Sequence, residues 1–518
     1  MSQDAFTKMK FPCGQGGLNR SKNYTVFPPN DLSMVDGITI EDQTWRKEGG
    51  ASKLNTISVG ASTIRGLFDF WTGASPSVQN VVAILANGQA VTVTASGVGS
   101  VLTTGLGDGF PVFAEGWNGT TKALYFCNGQ VQMQVYDGAS WGAIPLPNTD
   151  WNGINGYPTG LFSHRESMVA YGLASAPHDV FMPLASNHGD YANVEAFRQE
   201  VGPGIGDGII GGISWRETAY LFKRPFGIYV LDDSSPNIAE WTISALSKTL
   251  GIAGPGCWLE VDDDVLILGA DGYFYSLSQV RNQGEKSTTP VLPLQMGDYL
   301  RTELNQSRLD LTQMIWYGHK RQVQIAVPAL GSTVNTRRIV GDLTAGSLRI
   351  LPSRRDTCSA IALHRSTRTS PPRPLIGDSA GFIWQLDQAA RTKDGAGYRG
   401  QFEYAPRECY PGASRRGNLE FLDLAFAEKG NYDVTIEIHR DGKLSETKAF
   451  SQQSVGGAVG SFSLDSDVLG GTTIANRRHK VGGDALRVKL LGKNENAGED
   501  FSIQDINLYV SPGREGAV

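Results

Sequence analysis

Val81-Val82-Ala83-Ile84-Leu85, a turn at Asn87-Gly88, then Ala90-Val91-Thr92-Val93: this is the stretch whose reading decides the fold. Asn-Gly supplies the positive φ that a two-residue hairpin turn requires, and apolar residues on either side mark two strands buried in a sheet. The phrase returns along the chain. Ala123 to Phe126 turns at Asn128-Gly129 into Val131 to Val135, and Ala219 to Phe222 turns near Pro225-Phe226-Gly227 into Ile228 to Val230. Val265 to Leu268 turns at Asp271-Gly272 into Tyr273 to Leu277, and Met314 to Tyr317 turns at His319-Lys320 into Val323 to Val327. A sixth copy runs from Pro374 to Ile376, turns near Ser379-Ala380-Gly381 and continues through Phe382 to Leu386. A repeat of about 40 to 60 residues fits one four-stranded blade, and a ring of such blades leaves few sheet edges open. The expectation is a mainly β protein: a β-propeller of six to eight blades over residues 56–400, with degenerate blades hidden in 139–200 and 337–370.

Residues 1–55 read as an extended arm that lends a strand to a neighbour or closes the ring by pairing with the last blade. From Gln401 onward the runs Leu419 to Phe426, Tyr432 to His439, Ser461 to Leu464, Leu486 to Leu491 and Phe501 to Val510 predict a separate β-sandwich over 401–518. One helix is expected near Met296 to Gln306, where Tyr299, Leu300 and Leu304 share a face.

The composition agrees with a turn-rich β protein: 63 of 518 residues are glycine, well above the usual ~7%. A net charge of −6 is too mild to draw nucleic acid to the whole molecule. Cys13, Cys127, Cys257, Cys358 and Cys409 are odd in number and widely spaced, which predicts reduced thiols in a cytosol and neither a zinc site nor a disulfide framework. No window reaches the roughly 20 apolar residues of a membrane span and no secretory leader is visible, so the Asn23 and Asn118 glycosylation patterns are expected to be chance matches.

Several motifs carry chemistry elsewhere. Gly377-Asp378-Ser379-Ala380-Gly381 has the form of an esterase nucleophile elbow, but the following Phe382 to Leu386 alternates as a strand where a helix is needed. Gly206-Asp207-Gly208-Ile209-Ile210-Gly211 matches a dinucleotide fingerprint without the preceding strand, and Asp262-Asp263-Asp264 lacks the rest of a calcium loop. No cofactor, metal or catalytic residue is expected. The informative charge run holds eight arginines, Arg337, Arg338, Arg349, Arg354, Arg355, Arg365, Arg368 and Arg373, against Asp342 and Asp356, for a balance of +6. It reads as an assembly or DNA contact through bidentate hydrogen bonds, or as loops paired with acids elsewhere in the ring.

Asp207-Gly-Ile-Ile-Gly-Gly-Ile-Ser-Trp-Arg-Glu-Thr, followed by Gly227-Ile-Tyr-Val, resembles the tail hub or nozzle proteins of short-tailed bacteriophages, the packaged-DNA stabilisation proteins. Gly251-Ile-Ala-Gly-Pro with Leu266-Ile-Leu-Gly-Ala-Asp-Gly-Tyr, the helix near Met296 with Trp316-Tyr-Gly-His, and Trp45-Arg-Lys-Glu-Gly-Gly are similar to further phrases of that family. The likeness covers about 200 residues, from about 205 to 400. It implies a virion structural protein, made in the host cytoplasm and not an enzyme. It would form a homohexamer below portal and adaptor proteins, with tail fibre, spike or needle proteins as neighbours and non-specific contact with DNA in transit. The alternatives are a propeller-fold hydrolase and a carbohydrate-binding tail component.

Overall fold

A computed structural model describes the chain apart from residues 1–5, 15, 20–27, 73–77, 184–186, 193–196, 236–239, 284–289, 292–293, 345–347, 354–355, 411–414, 428–431, 452–474 and 514–518. The Asn23 pattern, the expected strand Ser461 to Leu464, Arg354 and Arg355 lie outside the described residues. The chain divides into two compact units: 53–339 with 356–386, and 1–52 with 340–355 and 387–518.

The first unit is a β-propeller, and the described residues contain seven blades. Blade one is Ile64–Trp71, Gln79–Leu85, Ala90–Thr94 and Gly97–Thr103, paired antiparallel in chain order. Blade two runs from Val112–Trp117 to Trp141–Ala143, blade three from Gly160–His164 to Phe197–Glu200, and blade four from Gly208–Trp215 to Thr242–Ser247. Blade five has three strands, Trp258–Val261, Asp264–Leu268 and Phe274–Ser276, and continues into the helix Leu277–Gln283. Blade six starts with Gln313–Tyr317 and Gln322–Val327; its third strand, Arg337–Asp342, leaves the ring unit after Ile339. Blade seven is a four-stranded sheet of Ala360–His364, Arg373–Gly377, Ile383–Gln388 and, as its last strand, Gly50–Lys53.

The hairpin turns follow the local chemistry. Gly88, Gly129 and Gly272 take φ of 78°, 74° and 82°, the left-handed conformation that their Asn-Gly and Asp-Gly turns demand. Each blade then buries its faces against its neighbours. Phe70, Val82 and Ile84 of blade one pack with Leu124, Phe126 and Tyr136 of blade two, and Tyr125 and Cys127 with Leu161, Met168 and Phe181 of blade three. Val169 and Tyr171 meet Leu221 and Tyr229 of blade four. A side chain at Gly211 would strike Ile252 and Trp258 at the entry to blade five. Ala360 and Leu375 of blade seven share a core with Ile64, Val81 and Ala83 of blade one, so the ring closes. Each fully buried Leu, Val or Phe contributes about 1.5–3 kcal/mol. Closure is fastened where the chain enters at Lys53: Leu54 N donates to Ile383 O (2.7 Å), and Asn55 accepts from Ile383 N (2.7 Å) while donating to Gly381 O (3.1 Å).

The second unit is a β-sandwich, assembled from both ends of the chain. Its seven-stranded sheet places Ile38–Glu41, Thr44–Lys47 and Thr7–Pro12 with Gly417–Phe426, Ala475–Lys480, Asp484–Ala485 and Ser502–Pro512. Its six-stranded sheet joins Leu32–Asp36 to Gly400–Tyr404, Arg407–Glu408, Asp433–Arg440, Lys443–Ser451 and Arg487–Asn494. The Phe11 and Tyr404 rings meet edge to face at 5.3 Å across the two sheets. The Tyr404 hydroxyl accepts from Trp45 Nε1 (3.1 Å) and donates to Pro12 O (2.8 Å).

This differs from the expected division at 55 and 400. Thr7–Pro12, Leu32–Asp36, Ile38–Glu41 and Thr44–Lys47 form paired strands, because backbone buried in the sandwich needs hydrogen-bond partners; Thr7 pairs with Val510 and Pro12 with Asp505. The helix predicted from Met296 to Gln306 runs from Leu294 to Glu303, with a 3₁₀ segment Gln306–Leu311 after it. The additional helix Leu277–Gln283 was not expected.

Candidate functional site

Strands of a blade alternate in direction, so the loops before each first strand and the turns between second and third strands share one end of the ring. A cavity of about 270 Å³ lies at that end. Thr63 and Arg65 come from the entry to blade one, Asp108 to Pro111 from the loop before blade two, Arg308 and Leu311 from the 3₁₀ segment before blade six, Thr333 to Asn335 from a blade-six turn, and Ser359 from the entry to blade seven. Phe110 crosses the mouth: a Cβ at Gly256, at the entry to blade five, would lie 3.0 Å from its ring. Gln313 ties the walls together. Its Nε2 donates to Arg65 O (2.6 Å) in blade one, and its Oε1 accepts from Ile361 N (3.1 Å) in blade seven.

The polar groups at the cavity are only partly spent. Arg65 donates to Asp108 O, and Arg308 pairs with Asp310 at 3.2 Å. Asn335 is 5% exposed and donates to Leu311 O (2.6 Å) and Ser359 O (3.4 Å). Its Oδ1 and the Ser359 Oγ, both buried, have no partner among the described residues. Buried oxygens in this state cost about 1–3 kcal/mol each unless water or a ligand satisfies them.

Exposed apolar side chains ring the same end. Ile154 is 94% exposed, Leu330 70%, Ile57 64% and Phe226 51%, all on these loops.

At the opposite end, the turns between first and second strands clasp one another. Arg165 Nη2 donates to Glu217 O (3.4 Å), Arg216 Nη2 to Asp263 O (3.0 Å) and Arg321 Nη2 to Asp262 Oδ2 (2.8 Å), joining blades three to four, four to five and six to five. The aspartate run is thereby used in turns; Asp264 accepts from Ser276 Oγ (2.5 Å) and Ser278 N (2.9 Å). No cluster able to hold a metal ion occurs among the described residues.

Histidines close the blade seams. His164 lies between Ser214 Oγ (2.8 Å) and Asp233 Oδ2 (2.9 Å), a set of residue types that hydrolases use. A carboxylate only accepts, so Nε2 carries the proton and Nδ1 accepts from Ser214. The His164 side chain is fully buried and burial holds its pKa below the ordinary value, so the group acts as a neutral tie between blades three and four. His188 accepts from Trp117 N (3.1 Å) and donates to Glu166 O (2.8 Å), and burial lowers its pKa as well. Lys223, also buried, donates to Gly202 O (2.8 Å) and Ile205 O (3.1 Å), and burial pushes its pKa down to about 8. Sequence patterns gave no sign of these groups, whose partners come together only when blades do.

The arginine run does not form one surface. Arg338 is wholly buried, 2.9 Å from the equally buried Asp356, and Arg349 is buried and donates to Gly14 O (3.0 Å). Neither presents its guanidinium to another molecule. Arg337 pairs with Glu303 (3.3 Å) and the Tyr299 hydroxyl (3.2 Å). Arg365 and Arg368 are exposed at the clasp end, where Arg368 lies over the Trp71 ring, and Arg373 is half-buried at the start of a blade-seven strand.

Gly377 to Gly381 is a blade turn. Asp378 Oδ1 accepts from Ala380 N (2.8 Å) and Phe382 N (2.9 Å), Oδ2 accepts from Trp384 Nε1 (3.0 Å), and the strand Ile383–Gln388 follows. Gly206 to Gly211 enters the first strand of blade four. All five cysteines are buried thiols, and no helix of the described residues is long and apolar enough to cross a membrane.

No family model matches the sequence, and no curated protein does. Among solved structures, the chain is similar to BBS1N in complex with ARL6DN (11% identity, 68% of this chain and 98% of that one, TM-score 0.42). It is also similar to YCF48 from Cyanidioschyzon merolae (10%, 65% and 98%, TM-score 0.36) and to the computationally designed Ika8 protein (12%, 65% and 99%, TM-score 0.36). The fold assignment rests on the sheet order and the closed core.

Proposed function

We propose that this chain is a structural component of a bacteriophage tail: a nozzle or hub subunit that assembles with copies of itself, as a homohexamer, below portal and adaptor proteins. The observation that carries the reading is the set of apolar side chains, Ile57, Ile154, Phe226 and Leu330, displayed on one end of the ring. Large apolar groups on a rigid polar framework suit docking against another protein surface. The phrases that resemble tail hub proteins support the same role: Asp207 to Thr218 covers the first strand of blade four and its turn, and Leu266 to Tyr273 the end of the second strand of blade five and its turn. The commitment of His164, Asp233, Lys223, Arg338 and Asp356 to internal bonds is also what a load-carrying subunit requires. DNA passing through such an assembly would meet a mildly acidic protein, net charge −6, that does not hold a polyanion.

Mass photometry and negative-stain imaging of the purified chain, alone and mixed with portal and adaptor proteins, test this reading. A six-fold ring is the expected species, and Ile154→Glu with Leu330→Glu should leave the fold intact while abolishing assembly. A chain that stays monomeric with both neighbours present would overturn the proposal.

A further inference from the structure

We propose that the cavity at the mouth of the ring binds a hexuronate, the carboxylated sugar unit of an acidic polysaccharide. Four features of the cavity select this chemistry. Its volume of about 270 Å³ falls just below the range of drug-sized ligand sites, which suits a single substituted six-membered ring. Phe110, Pro111 and Val334 supply apolar wall for the C–H face of such a ring. Asn335 Oδ1 and Ser359 Oγ are buried without a protein partner, and ring hydroxyls are the donors they lack. Arg65 and Arg308 bring two guanidinium groups to the same cavity, each spending only part of its five donors on the protein, and a carboxylate accepts from such groups bidentately.

The rim is open to a ligand: the Arg308 side chain and Val334 are each 37% exposed. The walls are held, because Gln313 bridges blades one, six and seven beneath them. A site whose polar groups are positioned by other bonds loses little entropy when a ligand arrives. The inference stands apart from the tail assignment, since it needs only the ring unit.

Isothermal titration of the full chain with galacturonate and glucuronate, beside galactose, glucose and inorganic phosphate, tests the proposal. A uronate should bind saturably, about tenfold tighter than the neutral sugar of the same configuration, the difference one charge-assisted interaction supplies. Arg308→Gln should reduce that difference severalfold, and Val334→Trp, which fills the mouth from an exposed loop position, should abolish binding of both. Circular dichroism and melting temperature establish that each variant is folded. Equal affinity for uronate and neutral sugar, phosphate binding as strong as uronate, or binding that survives Val334→Trp in a folded protein would each refute the assignment, as would no saturable heat with either uronate.

Discussion

Replacing Arg338 by methionine should cost the ring about 3–5 kcal/mol, although the residue belongs to a run of arginines that invites a DNA-contact reading. Its guanidinium lies 2.9 Å from Asp356 with neither side chain exposed to solvent, and Nη1 reaches Gln324 Oε1 at 3.3 Å. At 2.9 Å and an effective dielectric constant of about 20, the attraction is ~6 kcal/mol, much of which repays the removal of two charges from water. Methionine fills most of the volume of the side chain but removes the guanidinium that faces the buried Asp356 carboxylate. The double variant Arg338→Met/Asp356→Leu removes both charges, so it should recover to within about 1 kcal/mol of the native protein. Urea unfolding followed by tryptophan fluorescence measures both, since the ten tryptophans report widely on the chain. A loss below about 1 kcal/mol for the single variant, or a double variant worse than the single, would refute the reasoning, because breaking the buried pair would then not be the source of the cost.

Asp378→Ala should destabilise blade seven by about 1–2 kcal/mol, because three donors lose their acceptor, whereas Ser379→Ala in the same exposed turn should stay within about 0.5 kcal/mol; equal losses in thermal melts would contradict this. Tyr404→Phe should cost the sandwich about 1–3 kcal/mol by stranding Trp45 Nε1 and Pro12 O, measurable as a shift in the urea midpoint, and an unshifted midpoint would count against it. Stability should fall as pH drops below about 6.5, the ordinary histidine value, because His164 and His188 have lowered pKa values in the fold and the unfolded chain then binds the extra protons. The contribution is complete above that pH and is lost on descent towards the lowered values, with a slope approaching ~1.4 kcal/mol per pH unit for each histidine. Melting temperatures at pH 7.5, 6 and 5 check it, and a flat profile would show that neither imidazole needs to be neutral. His188 should dominate, because its Nδ1 faces the Trp117 N–H and a second proton there would set two donors against each other.

The parts of the fold legible in the sequence are those set by neighbours in the chain. Asn87-Gly88, Asn128-Gly129 and Asp271-Gly272 announce their turns because positive φ is a local demand. Blade three escaped the pattern: its central turn is Ala174-Ser175, and the left-handed residue is Gly172 at a bulge two positions earlier. His319-Lys320 marks a turn between the first and second strands of blade six, whereas Asn87-Gly88 and Asn128-Gly129 lie between second and third strands, so 337–370, where a degenerate blade was expected, finishes one blade and opens the next. The strands at Thr7–Pro12 and Thr44–Lys47 are short and find partners more than 400 residues away, which no local periodicity encodes. The arginine run misleads for a related reason: charge summed along a line ignores that strands send alternate side chains to opposite faces, and Arg338 points inward to Asp356. The cavity at the mouth of the ring was equally invisible, being made by loops from several blades.

The weaving of both chain ends into one sandwich sets a timetable for synthesis. Thr7 waits for Val510, and at ribosomal rates of about 5–20 residues per second the delay is roughly 25–100 s. Throughout that interval the leading segment carries unmatched strand edges past sister polypeptides emerging from the same message. A charged or proline-bearing leading segment, or a chaperone holding it, would guard the interval; without such protection the first casualty is an exchange of leading segments between molecules.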